Sequence, residues 1–246
     1  MTPSGDASRP VALVTGASRG LGAALARFLA AQEFELVLNA RHAEPLEEIA
    51  GELRDSGRTV PTVVGDIGKP STRTALQREI QRFDHLDLLV NNASELGPSP
   101  LPPLAGYPPQ GLERVFRVNV LAPLSLVQEL LPYLVRARGR VVNISSDAAV
   151  GGYPGWGGYG ASKAALDLLS LTLAHELKEL GVSVVSVDPG DMRTAMHQAA
   201  FPGQDISDRA PPEATLPFWA WLLNQEPMAV SGHRFQAQGD RWEVSP

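Results

Sequence analysis

Tyr159 and Lys163 stand four residues apart in Tyr159-Gly160-Ala161-Ser162-Lys163. On a helix this spacing brings both side chains to one face, about one turn apart. A free phenol ionises near pH ~10, too high for ready acid/base work at neutrality, and a neighbouring ammonium lowers that value by favouring the phenolate. The pair therefore predicts a centre that exchanges a proton with a carbonyl or alcohol oxygen. Ser146 lies thirteen residues upstream of Tyr159, with Ser145 beside it as a competing hydroxyl. Much earlier, Thr15-Gly16-Ala17-Ser18-Arg19-Gly20-Leu21-Gly22 follows a short apolar run and opens a helical pattern. Glycines at 16, 20 and 22 let backbone approach a pyrophosphate resting on helix N–H groups at the positive end of the helix dipole.

These residues must be positioned by alternating elements. Val11 to Thr15, Glu35 to Asn39, Val60 to Val64, Leu86 to Val90, Arg140 to Ile144 and Val182 to Val187 read as buried strands, with a last strand over Arg234 to Ala237. Between them, helical patterns run over Leu21 to Ala31, Pro45 to Asp55, Ser71 to Phe83, Leu112 to Arg138 and Tyr159 to Leu180. Such alternation implies βαβ units and parallel pairing. The expected fold is an α/β doubly wound parallel sheet with helices on both faces, a single domain over residues 1–246 behind a polar tail at 1–9. Pro98 to Pro109 and Met192 to Pro217 break the periodicity and should lie beyond strand C-termini, where long loops shape substrate pockets.

The composition narrows the partners. A formal charge of -6 with scattered Lys and Arg gives no basic footprint for nucleic acid or an anionic membrane surface. The absence of cysteine excludes disulfides, thiolate metal sites and cysteine nucleophiles. His42, His85, His175, His197 and His233 show no metal-ligand spacing, so no metal is expected. The first ten residues lack an apolar secretory core, and no uncharged apolar run approaches the ~18 residues of a membrane span. A cytoplasmic protein with a small-molecule partner is the expectation.

The glycine spacing TGxxxGxG, Asn91-Asn92-Ala93 at a strand end, Asn119 in the long helix, Ser146, Tyr159, Lys163 and Pro189-Gly190 with Thr194 occur in an order and register that resembles the short-chain dehydrogenase/reductase family. The resemblance covers nearly the whole chain and implies a Rossmann-like fold. It also implies that Tyr159 protonates the substrate oxygen, Ser146 bonds that oxygen, Lys163 bonds the nicotinamide ribose, and Asn119 holds a water between Lys163 and solvent. On the cofactor it implies contacts from Gly16, Ser18, Arg19, Gly20, Leu21 and Gly22 in the turn. Further along it implies Asp66 and Ile67 near adenine, Asn92 and Ala93 near the ribose, and Pro189, Gly190, Met192 and Thr194 after the sixth strand, with Tyr159 and Lys163 themselves. Ser94, where glycine is common, and Asp191, where an apolar residue is frequent, depart from the pattern.

Cofactor choice rests on charge. An acidic residue ending the second strand would bond a ribose 2′-hydroxyl and repel a 2′-phosphate. Here the strand ends Asn39-Ala40-Arg41, and Arg19 beside Ser18 lies in the glycine turn. Two guanidinium groups and a hydroxyl suit a phosphate, so NADP(H) is expected over NAD(H).

The expected reaction is hydride transfer between NADP(H) and a carbonyl or secondary alcohol. Tyr153, Trp156, Leu96, Met192, Met196 and Phe201 are candidate pocket walls and suggest an apolar or aromatic substrate. A ketoacyl thioester reductase is the alternative within the family. Arg136 and Arg138 offer one side of a docking patch for an acidic carrier, but the second long helix ends Lys178-Glu179-Leu180. A non-catalytic NADPH-sensing regulator is the alternative of another class. The resemblance implies a homodimer or homotetramer built on the two long helices and the last strand.

Overall fold

Runs that are apolar without alternation form strands buried on both faces, as a parallel sheet covered by helices requires. The computed structural model describes residues 9–55 and 57–243; the expected tail, Arg9 apart, lies outside them. Among the described residues one sheet has seven strands: β1 (Val11–Thr15), β2 (Glu35–Ala40), β3 (Thr62–Val64), β4 (Leu88–Asn91), β5 (Arg140–Ile144), β6 (Ser183–Asp188) and β7 (Arg234–Gln236). Their order is β3-β2-β1-β4-β5-β6-β7, and every pairing is parallel. Val14 lies opposite Leu38 on one side and Val90 on the other. Strand order reverses between β1 and β4, which opens a crevice beyond their C-terminal ends.

Successive residues of β1 feed opposite layers. Ala12 and Val14 join a core closed by α1 (Gly20–Ala31), α2 (Ala43–Arg54) and an aromatic-rich helix near the C-terminus, while Val11 and Leu13 join a core closed by α3 (Pro70–Gln81) and the long helical segment after β4. The expected helices on both faces are present.

Three parts of the expected helix map differ. The pattern read as one helix over Leu112 to Arg138 is α4 (Pro109–Phe116), a π-helical turn over Arg117–Leu121, and α5 (Ala122–Ala137). A widened turn shifts the facing of the helix beyond it, and such turns recur at functional sites; this one buries Asn119. The last expected helix is α6 (Gly157–Glu176), finished by a short 3-10 turn at Lys178–Leu180. The segment expected as loop over 192–217 contains α7 (Ala195–Ala200), capped by Thr194 Oγ1 accepting from the His197 amide at 3.2 Å, and the start of α8 (Leu216–Leu223). Six residues are too few to display a helical period, and α8, Leu-Pro-Phe-Trp-Ala-Trp-Leu-Leu, is apolar all round and so displays none.

Helix α8 is anchored by charge in the core. Buried Arg140 donates to the carbonyl of Leu222 in the last turn of α8 and to that of Gln225 just beyond it. Burial pulls its guanidinium down to about 10. The helical run Pro109–Ala137 is long and apolar enough to cross a membrane by length and composition, with a mean hydropathy of 1.4 over its best window, contrary to the reading of the linear sequence. Half of that window is buried against the sheet and α3, the condition of a core helix.

Candidate active site

The glycine turn is built by contacts that only hydrogen atoms permit. Gly16 and Gly20 adopt φ of +67° and +56°, in the left-handed region open to glycine. A Cβ on Gly22 would lie 2.2 Å from the Gly16 carbonyl oxygen. The start of α1 can therefore press against the turn. That start has no side-chain cap and no acidic residue in its first turn, so its N–H groups remain available to an anion. Thr15 and Asn92 lock the ends of β1 and β4 together. Thr15 Oγ1 accepts from the amides of Asn92 and Ala93, both at 3.0 Å, and Asn92 Nδ2 donates to the Thr15 carbonyl at 2.8 Å.

Beyond β2 the crevice is bordered by Arg19, Arg41, Asp66 and Ile67. The Arg41 guanidinium contacts Glu95 Oε2 at 3.1 Å, and Arg114 Nε reaches the same oxygen at 3.1 Å. Asn39, next to last in β2, is buried and donates to the carbonyls of Val63 and Gly65. Asp66 Oδ1 accepts from the Gly68 amide at 2.9 Å and so shapes the approach to α3.

At the other end α6 delivers Tyr159 and Lys163 next to each other, both buried. Lys163 Nζ lies 5.5 Å from the centre of the Tyr159 ring and donates to the Ile144 carbonyl at 2.6 Å. Burial lowers the ammonium to about 8, against the pull of Asp167 and Asp188. The phenol does not follow the expectation that Lys163 acidifies it. Burial pushes Tyr159 up to about 12; hydrogen bonding with Ser94 and Ser146 opposes the rise, while Asp188 and Asp147 add to it. Desolvation of the phenolate outweighs an ammonium whose proton is directed at a carbonyl.

Ser146 caps the short turn Asp147–Ala149, accepting from the Ala148 amide at 3.2 Å and donating to Asp147 Oδ1 at 3.0 Å. Ser145 donates instead to Asp167 Oδ2 at 2.8 Å, so only Ser146 among the two bonds with the phenol. Asn119 Oδ1 accepts from the Glu95 amide at 2.8 Å, and its Nδ2 donates to the Glu95 carbonyl and to Ser162 Oγ, both at 2.9 Å. The carboxamide thus ties the loop after β4 to α6, one residue from Lys163.

One cleft of about 630 Å³ joins the two ends. It is bordered by Gly16, Ser18, Gly20 and Leu21 of the turn, by Ala93 and Ser94, and by Ser146, Tyr159, Lys163, Pro189, Gly190, Met192 and Thr194. Of the residues expected from the sequence, Gly22 and Asn119 stand behind this lining and support it. An aromatic wall runs along the substrate end: Trp156 lies 5.7 Å from Tyr159 and 5.9 Å from Phe201, and His197 lies 5.0 Å from Phe201. Sequence reading missed His197, which no helical pattern marked, and Arg234, whose guanidinium bonds Asp167, Asp188 and the Ser146 carbonyl at 3.0, 3.2 and 2.8 Å. A lone arginine on a short edge strand carries no signal of that kind.

A parallel seven-stranded sheet with a glycine turn after β1 and a Tyr-Lys pair facing it through one cleft defines a nucleotide-binding oxidoreductase architecture. The short chain dehydrogenase family model matches residues 10–205, and the chain belongs to that family. The chain is 32% identical to the uncharacterised oxidoreductase YciK of Escherichia coli K12 over 94% of its own length and 92% of that protein's. It is 36% identical to a serine 3-dehydrogenase of Agrobacterium fabrum over 74% of its length and 72% of the relative's. A short chain dehydrogenase of Shigella flexneri solved with NADP superposes with a TM-score of 0.85 at 32% identity, covering 94% of this chain and 97% of that one. One from Escherichia coli CFT073 solved with NADPH gives the same values.

Proposed function

We propose that the protein is an NADP(H)-dependent oxidoreductase acting on a carbonyl or secondary alcohol whose substituents are apolar or aromatic. The observation that carries this reading is the continuity of the cleft from an uncapped helix N-terminus to a buried phenol four residues from a buried ammonium. The turn fits a pyrophosphate because the start of α1, which borders the cleft at Gly20 and Leu21, has no side-chain cap and no acidic residue in its first turn. The lack of Cβ atoms at Gly16 and Gly22 lets that start pack against Asn92 and the turn. Arg41, Arg19 and Ser18 border the end where a 2′-phosphate would sit, and relatives solved with NADP and NADPH support that choice.

When bound, the dinucleotide supplies or accepts the hydride. Tyr159 holds a proton at its hydroxyl and delivers it to the substrate oxygen. Ser146 and Ser94 bracket that hydroxyl and orient it, and Lys163 stabilises the phenolate left behind. A phenol held protonated is prepared for carbonyl reduction. The wall of Trp156, Phe201 and His197 excludes water and favours flat apolar groups. Exposed Leu168 and Leu171 on α6 and Leu121 before α5 support self-association through the long helices.

A panel of carbonyls and alcohols, followed by absorbance of the reduced dinucleotide, tests the assignment. Tyr159→Phe should lose about 10²- to 10⁴-fold in turnover with dinucleotide affinity retained. Tight NADPH binding with no turnover across the panel, in the parent as in the variant, would favour a regulator that senses the dinucleotide.

A further inference from the structure

The cation expected to meet the 2′-phosphate is already engaged. Arg41 borders the cleft, and one of its terminal nitrogens lies 3.1 Å from Glu95 Oε2. Glu95 sits on fixed backbone, because both its amide and its carbonyl are held by the buried Asn119 carboxamide. Its side chain is only 16% exposed. Arg114, on α4 and outside the cleft, contacts the same carboxylate oxygen at 3.1 Å. Two cations sharing one carboxylate leave a net charge of about +1 beside the phosphate position.

We infer that Glu95 is a built-in brake on the affinity for 2′-phosphorylated dinucleotide, and that Arg114, though it never touches the cofactor, sets how hard the brake acts. This inference rests on the NADP(H) reading. A 2′-phosphate competes with the Glu95 carboxylate for the Arg41 guanidinium and is repelled by it. Arg114 neutralises that carboxylate from behind and holds it when Arg41 turns to the phosphate. The loop carrying Ser94, which bonds with Tyr159, then keeps its place whether or not Arg41 is withdrawn. The arrangement favours exchange of the dinucleotide over the tightest possible grip.

The test is calorimetric titration of NADP⁺ and NAD⁺ into the parent, Glu95→Gln, Arg114→Gln and the double variant at one ionic strength. Thermal melts of each protein check that the fold is kept. Glu95→Gln should tighten NADP⁺ by about 5- to 20-fold and Arg114→Gln should weaken it by a similar factor, as a charge change at a partly screened surface gives. The double variant, in which Arg114 has no carboxylate left to neutralise, should keep most of the Glu95→Gln gain, and a return to the parent value would overturn the inference by showing that Arg114 acts on the phosphate independently of Glu95. NAD⁺ affinity should not move in any of them. Selective weakening of NADP⁺ in Glu95→Gln would overturn the inference, showing that the carboxylate aligns Arg41. Parallel changes in NADP⁺ and NAD⁺ would also overturn it. A parent that binds both dinucleotides equally would refute the cofactor reading itself, before any variant is compared.

Discussion

Lys163→Met should make the protein inactive and more stable. The ammonium is among the largest fully buried side chains, and it donates to the Ile144 carbonyl at 2.6 Å. At about 1.4 kcal/mol per tenfold, the fall from 10.5 to about 8 makes the charged form about 3 kcal/mol less favourable in the fold than in the unfolded chain. Methionine keeps the length and apolar stem but strands the Ile144 carbonyl, at a cost of about 1 kcal/mol. The net gain is about 2 kcal/mol, a rise of roughly 4–8 °C in melting temperature for a chain of this size. The folded lysine sheds its proton near pH 8, whereas the unfolded one keeps it to about 10.5. Between those values the unfolded state binds more protons, so parent stability rises with pH. The advantage of Lys163→Met is therefore full below about pH 8, is gone at pH ~9.5 and reverses by about 1 kcal/mol toward 10.5. Urea and thermal melts at pH 7 and 9.5, without nucleotide, measure it. A variant less stable than the parent at pH 7, or a gap that ignores pH, would refute the assignment of Lys163 as a buried charge held for function.

Gly22→Ala should weaken dinucleotide binding by at least tenfold and cost about 1–3 kcal/mol, because its Cβ would sit 2.2 Å from the Gly16 carbonyl oxygen and force the turn open; titration and melts report both. Arg234→Met should cost about 2–4 kcal/mol at neutral pH by leaving Asp167 and Asp188 without their shared cation. Asp188 is already raised by burial, so it takes up a proton readily on acidification and the loss should shrink as pH falls. Melts at pH 8 and pH 5 check the sign, and Arg234→Lys should restore part of the loss.

The sheet was legible because its strands are continuous apolar runs whose spacing leaves few alternatives. Val11–Thr15 and Arg140–Ile144 have the bounds the sequence implies. The turn and the Tyr-Lys pair were legible because glycine and helical spacing act locally. What escaped depends on distant partners. The π-helical turn at Arg117–Leu121 has no pattern of its own; Val118 and Val120 are as apolar as a regular helix would want, and the widening shows only in where Asn119 points its bonds. Arg234 and Glu95 are single charges whose roles arise from residues 19 to 88 positions away.

The sign of the Tyr159 shift shows why spacing alone misjudged the chemistry. Four residues on a helix do place an ammonium beside a phenol, but the effect of that charge competes with the loss of water around both groups. Here the ammonium lies 5.5 Å from the ring centre, directs a proton at Ile144, and is itself weakened by burial. The negative charges of Asp188 and Asp147 further disfavour phenolate. The result at neutral pH is a phenol that keeps its proton until an acceptor arrives, beside an ammonium that keeps its own. Such a site holds the protonated form that reduction consumes, as a weaker acid than a free phenol, and at neutral pH lacks the phenolate that oxidation consumes. Alcohol oxidation, which needs the reverse transfer, should therefore gain more from alkaline pH than carbonyl reduction does, and the ratio of the two rates against pH is the measure of how strongly burial governs the pair.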